Sequence, residues 1–132
     1  AHAMGVGTLW SGSLTGSGTP LPRYVGTNGN AEWRALGGAF DGVPVQPDVE
    51  AHWDEAWFDG EIMTPTTEGP AGTTPISRIT IGTLIDLGWT AELSAADVYR
   101  LPDCSGSCPA TAPGTVEPFD IVVVDPLLPL VR

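Results

Sequence analysis

Glycine and proline interrupt almost every segment of this chain, and only one stretch keeps a helical pattern over several turns. The sequence holds 17 glycines and 13 prolines among 132 residues, and both residue types break helices and central strands. Between Ile76 and Gly88, apolar residues such as Ile81 and Leu84 recur on one face of a helix, with Ser77 placed to cap it. We therefore expect an α+β fold that is irregular and loop-rich, with a few short helices.

The sequence before this helix predicts only short elements. Residues 11–29 are rich in glycine, serine and threonine and predict an irregular surface loop. Asn30 is expected to cap a short helix that closes at Gly37 and Gly38. Residues 39–51 are extended, but proline breaks them too often for a central strand.

After the helix, the pattern becomes weaker towards the end of the chain. Ser94–Tyr99 is expected to form one more turn. We divide the sequence into residues 1–101, which carry the periodic segments and the histidines, and residues 102–132, a linker and tail. The stretch Asp120–Val131 in this tail is expected to form an edge strand or to begin a following module.

Charge excludes two classes of partner. No lysine is present, and five arginines face sixteen carboxylates, which gives a net charge of −11. This balance argues against nucleic acid and against an anionic membrane surface as partners. No apolar run approaches the length of a transmembrane helix. The sequence carries no recognisable signal peptide, and it starts with alanine, so we expect it to begin inside a longer polypeptide.

Two cysteines, Cys104 and Cys108, lie in a stretch rich in serine, glycine and proline. Their C-x3-C spacing favours a small local disulfide in an oxidising compartment. Two free thiols are the next interpretation. A metal site is the least favoured, because no further ligands lie at a suitable spacing.

The two histidines of the chain stand in patterns typical of a zinc peptidase. His2 and Gly5 match the second half of an H-E-x-x-H-x-x-G helix end, in which two histidines hold zinc and the glutamate acts on zinc-bound water. The usual third ligand of a metzincin would fall on Thr8, a poor zinc ligand beside histidine. His52 precedes a Met63-Thr64-Pro65 turn and is the candidate replacement.

These motifs together resemble the leishmanolysin (surface metallopeptidase) family, a metzincin family with a long insertion before the third histidine. The resemblance covers about residues 1–101. The segments that carry it are Gly5-Val6-Gly7-Thr8-Leu9-Trp10, Ala51-His52-Trp53, Glu61-Ile62-Met63-Thr64-Pro65, Pro75-Ile76-Ser77-Arg78-Ile79-Thr80 and Leu84-Ile85-Asp86-Leu87-Gly88-Trp89.

The resemblance implies a metzincin C-terminal subdomain, a fragment of a larger catalytic domain that hydrolyses peptide bonds with Zn²⁺. It implies that His2 and His52 are zinc ligands and that Met63 packs beneath the metal. It also places the first histidine and the glutamate base four and three residues before His2, so that this chain alone has no catalytic base. Peptides or proteins would be the substrates, and the protein would be secreted or on the cell surface.

Simpler interpretations remain beside these. His2 could be an ordinary solvated residue and His52 a core histidine, in a non-catalytic acidic secreted interaction or structural module. The acidic side chains of residues 54–61 could suggest calcium, but they lack the order of an EF-hand loop, and a solvated acidic face is favoured. Five tryptophans could form a carbohydrate platform, but core packing is the better default; these are Trp10, Trp33, Trp53, Trp57 and Trp89.

Overall fold

A computed structural model describes residues 1–66 and 72–102. They form a small mixed domain of short helices and three antiparallel strands, which confirms the α+β class. Cys104, Cys108 and the remainder of the 102–132 tail lie outside the described residues. In chain order the elements are 3₁₀ turns His2–Met4 and Ser11–Ser13, β1 (Leu14–Thr15), β2 (Arg23–Tyr24), α1 (Thr27–Ala35), β3 (Val43–Pro44), α2 (Glu55–Phe58), α3 (Arg78–Asp86) and a 3₁₀ turn Leu93–Ala95.

The sheet has the order β1-β2-β3, with Leu14 opposite Tyr24 and Arg23 opposite Pro44. Pro44 therefore lies on an edge strand, where a residue without an N–H group is tolerated. The prediction of an irregular loop over residues 11–29 is wrong in part, because β1, β2 and the start of α1 lie within it. Strands of two residues are too short to produce an alternating pattern in the sequence.

Helix α3 forms where the sequence predicts it, although it is shorter by two residues at each end. Ser77 occupies the N-cap position, and its side chain accepts a hydrogen bond from Thr80 N. Gly88 follows the helix with a φ of +99°, a conformation that favours glycine. The apolar face contributes Ile81 and Leu84 to the core.

Helix α1 begins three residues before the predicted cap. Asn30 lies inside Thr27–Ala35, and its side chain instead bonds the loop that follows the helix. The free N–H groups of Asn28 and Gly29 donate to the Asp86 carboxylate at 2.7 and 2.9 Å. A carboxylate from the end of α3 thus takes the place of a local N-cap side chain.

The two longer helices approach closely at two glycines. A β-carbon on Gly82 of α3 would lie 2.8 Å from the carbonyl oxygen of Asn28, and one on Gly29 of α1 would lie 2.5 Å from Thr83 Oγ1. Both distances are shorter than real contacts allow. This crossing therefore requires positions without side chains.

Aromatic residues fill much of the core. Trp10, Trp33, Trp53 and Trp57 are at most 4% exposed, so the prediction of core packing is confirmed for them. It is wrong for Trp89, which is 48% exposed and donates its indole N–H to the carbonyl of the N-terminal 3₁₀ turn. Trp89 lies beyond the end of α3, after the left-handed Gly88.

Two members of the acidic run are buried, so a solvated acidic face is the wrong interpretation for them. Asp54 is 6% exposed and caps α2 by accepting a hydrogen bond from Ala56 N. Glu61 is 1% exposed and lies on the turn that precedes Met63. Each carboxylate accepts at least one backbone hydrogen bond, which offsets part of the cost of its burial.

The last turn of the described chain and the lengths of the helices bear on two further expectations. The predicted turn at Ser94–Tyr99 is replaced by the 3₁₀ turn Leu93–Ala95, which starts one residue earlier and is shorter. None of the helices in residues 1–66 and 72–102 has the length and apolar character needed to cross a membrane.

Candidate metal centre

His2 lies in the 3₁₀ turn at the start of the chain. Gly5 closes this turn with a φ of +100°, and its N–H donates to the His2 carbonyl at 2.9 Å. The Nδ1 atom of the His2 ring lies 2.9 Å from the carbonyl oxygen of Val6. Because a carbonyl only accepts, the Nδ1 atom carries the proton, and the Nε2 atom of His2 presents a lone pair.

Backbone hydrogen bonds fix the segment around His52 on both sides. Its carbonyl accepts a hydrogen bond from Gln46 N at 2.9 Å, and the next residue, Trp53, forms a bridge with Val45. Trp53 N also donates to the carbonyl of Met63 at 3.0 Å. The backbone at His52 is therefore fixed between the strand region and the methionine turn.

The structure brings the two histidines together although 50 residues separate them. Their Nε2 atoms lie 3.2 Å apart, and the ring planes stand at 87° to each other. Two nitrogens bound to one tetrahedral zinc at the usual Zn–N distance are about 3.3 Å apart. The spacing of the two Nε2 atoms therefore fits a shared zinc ion. Without metal, the same spacing suits a hydrogen bond from His52 Nε2–H to His2 Nε2.

The surroundings of the two rings differ. His2 has a carbonyl partner for its second nitrogen, the arrangement that commonly orients a metal-binding histidine. The Nδ1 atom of His52 is buried and has no hydrogen-bond partner among the described residues. Zinc binding through Nε2 would leave an unpaired N–H there, which lowers the affinity that this pair can reach.

Burial and charge both favour the neutral form of His52. Desolvation lowers the pKa of His52 below the ordinary value for histidine, and repulsion from a protonated His2 lowers it further. A neutral imidazole is the form that binds metal. The environment of His52 thus suits a ligand at neutral pH.

A third ligand is not found among residues 1–66 and 72–102. These residues place no group of three or more histidine, cysteine or acidic side chains where they could hold one metal ion. Thr8 is exposed, and its hydroxyl donates to the carbonyl of His2 at 3.1 Å. Its role in the described structure is to brace the turn that carries His2.

The methionine turn packs against the residue next to His52. Met63 is 2% exposed, in agreement with its predicted place in the core. Its carbonyl accepts the hydrogen bond from Trp53 N, and Thr64 N donates to the carbonyl of Glu61 at 3.0 Å. The turn is thus hydrogen-bonded directly to the residue that follows His52.

Sequence reasoning missed two residues that shape this centre. Glu61 is a buried hydrogen-bond acceptor for the methionine turn. Gly7 has a φ of +82° and lies against both Ala51 and the His2 ring. The Gly-x-Gly spacing of residues 5–7 was a usable signal for the tight path of the chain, whereas nothing local distinguishes Glu61 from the other acidic residues.

Comparison with protein-family models, curated proteins and solved structures found no match to this chain.

Proposed function

We propose that this chain is part of a zinc-dependent metalloendopeptidase of leishmanolysin type and that it supplies two of the zinc ligands, His2 and His52. The observation that carries the proposal is the 3.2 Å distance between their Nε2 atoms. The family resemblance leads to the same two residues from the sequence alone.

Zinc in such a site would polarise the substrate carbonyl and activate a water molecule. The residues of this chain would bind and orient. The Val6 carbonyl holds the proton of His2 on Nδ1, which leaves Nε2 for the metal. His52 is carried on the segment that Met63 supports through Trp53.

The resemblance places the remaining ligand and the glutamate base before Ala1, four and three residues upstream of His2. With two ligands and no base, this chain alone should bind zinc weakly and should not hydrolyse peptides. Zinc binding and peptide hydrolysis can therefore be tested separately.

The first test is zinc affinity at neutral pH for the unaltered chain, His2→Ala, His52→Ala and Thr8→Ala. We expect both histidine variants to lose at least about tenfold in affinity. Thr8→Ala keeps both imidazoles and removes only the hydroxyl that braces the His2 turn, so it should lose clearly less affinity than either histidine variant. Equal affinity in all four proteins would contradict the proposal and favour a non-catalytic interaction module.

A further inference from the structure

Glu61 carries a buried carboxylate that is surrounded by donors. Its Oε1 atom accepts hydrogen bonds from Ser77 N at 3.0 Å, Ser77 Oγ at 2.7 Å and Thr80 Oγ1 at 2.5 Å. Its Oε2 atom accepts from Met63 N at 2.6 Å. The carboxylate therefore joins the methionine turn to the first turn of α3.

The chemistry of the site suits a carboxylate better than an amide. Glu61 is 1% exposed, and its four hydrogen-bonding partners all donate. A carboxylate accepts at both oxygens, whereas a glutamine would present an NH₂ group to one of these donors. Charge-assisted hydrogen bonds from four donors offset the cost of burying the group.

Both oxygens of this carboxylate lead to the same neighbouring residue. Along one route, Oε2 accepts from Met63 N, and the Met63 carbonyl accepts from Trp53 N at 3.0 Å. Along the other, Oε1 accepts from Thr80 Oγ1, which itself accepts from the Trp53 indole N–H at 2.9 Å. A single residue therefore connects Glu61 to each N–H group of Trp53: Met63 for the backbone N–H and Thr80 for the indole N–H.

Trp53 directly follows His52 in the chain and is fully buried. When its backbone and its indole are both fixed, the peptide plane that it shares with His52 is fixed as well. The Cα atom of His52 lies in that plane, so the plane fixes the point from which the His52 side chain extends.

We propose that Glu61 is a positioning residue for His52: it holds Trp53 by two routes and thereby sets the 3.2 Å approach of His52 Nε2 to His2 Nε2. The geometric part of this inference does not require zinc. Its zinc-affinity part rests on the proposed function.

Two substitutions interrupt one route each. Glu61→Gln keeps the shape of the side chain but places an NH₂ group against Met63 N–H if its oxygen stays with Ser77 and Thr80. Thr80→Val removes the hydroxyl that links the Trp53 indole to the carboxylate. Thr80→Val also keeps the proposal testable if the glutamine variant does not fold.

Thr83→Val is the matched control. Thr83 lies on the same helix and, like Thr80, is fully buried. Its hydroxyl donates to the Ile79 carbonyl of its own helix at 2.9 Å. The substitution removes a buried hydroxyl from the same helix and leaves both hydrogen-bond routes from Glu61 to Trp53 intact.

The decisive readout is the NMR spectrum of the metal-free protein. We expect Glu61→Gln and Thr80→Val to weaken the nuclear Overhauser effect between the His2 and His52 ring protons and to shift the His52 Cε1–H resonance. Thr83→Val should change neither. If all three variants give the unaltered spectrum of the histidines, or if Thr83→Val changes it as much as the other two, the positioning role is wrong.

Zinc affinity gives the second readout. We expect Glu61→Gln and Thr80→Val to weaken zinc binding by about tenfold relative to Thr83→Val, as substitutions behind a metal ligand commonly do. If the unaltered protein binds no zinc while the ring contacts change as expected, the proposed function fails and the positioning role of Glu61 stands. If zinc binds equally to all variants and the ring contacts are unchanged, the positioning role fails alone.

Discussion

Gly7 lies so close to Ala51 that a β-carbon at position 7 would overlap the Ala51 carbonyl oxygen. The same β-carbon would lie 2.9 Å from Cε1 of the His2 ring. Ala51 directly precedes His52, so this contact joins the segments of both histidines. A second contact reinforces it, because Trp10 Nε1 donates to the carbonyl of Glu50 at 2.9 Å.

Gly7→Ala should therefore destabilise the protein and separate the histidines. A left-handed backbone costs an alanine about 1 kcal/mol, and the overlap adds about 1 to 3 kcal/mol. Gly18→Ala is the control, because Gly18 has a φ of +81° and no atom within 4 Å of an added β-carbon. Chemical unfolding should show a larger loss for Gly7→Ala; an equal loss in the two variants would mean that the contact with Ala51 is not present.

Gly82→Ala should also destabilise, although alanine normally stabilises a helix relative to glycine by about 0.5 to 1 kcal/mol. The new methyl group would meet the backbone of Asn28 in α1, and the two helices would have to separate. We expect a loss of about 1 to 3 kcal/mol in the free energy of unfolding. A more stable variant would show that α1 and α3 do not cross at this point.

Asp86→Asn should weaken the start of α1. The carboxylate accepts hydrogen bonds from the Tyr24 hydroxyl, from Gly29 N and from both the backbone and side-chain nitrogens of Asn28. An amide group loses part of these contacts, at an expected cost of about 2 to 4 kcal/mol in thermal or chemical unfolding. Asp41→Asn, at an exposed carboxylate with one side-chain partner, should cost less than about 1 kcal/mol. Similar losses in both variants would contradict the capping role of Asp86.

Stability without metal should fall as the pH falls below the ordinary histidine range. The pKa of His52 is lower in the folded protein than in the unfolded chain, mainly through desolvation. As the pH falls, the unfolded chain therefore takes up the His52 proton before the folded protein does. The contribution of neutral His52 to the free energy of unfolding is fully present above about pH 6.5 and is lost progressively below it. Urea unfolding at about pH 7.5 and about pH 5.5 should show a smaller decline for His52→Gln than for the unaltered chain. An equal decline in both would assign the pH dependence to other groups.

The sequence predicts α3 well because its signals are local. Ser77 and Gly88 frame an apolar periodic segment, and each acts within its own helix end. The start of α1 is predicted wrongly because its cap, Asp86, lies 58 residues from Asn28 in the chain. No pattern within residues 27–35 predicts a capping partner so distant in the sequence. The two-residue strands escape prediction for a similar reason, since only their pairing defines them.

In the candidate site, too, some residues are evident from the local sequence and one is not. Spacing and resemblance single out His2, His52 and Met63, and the described structure brings the two histidines together. Glu61 is not distinguishable in the sequence, because buried and exposed carboxylates look alike in an acidic run. Its importance depends on donors from Met63 and from the first turn of α3, which meet only in the folded chain.

We propose above all that the Nε2 atoms of His2 and His52 bind one zinc ion. Nitrogen-15 NMR of the two imidazoles during a zinc titration tests it most directly. We predict that both Nε2 resonances shift together to values typical of metal-bound imidazole, with the proton on Nδ1 in both rings. A titration in which only one ring responds, or in which neither does, would contradict the account.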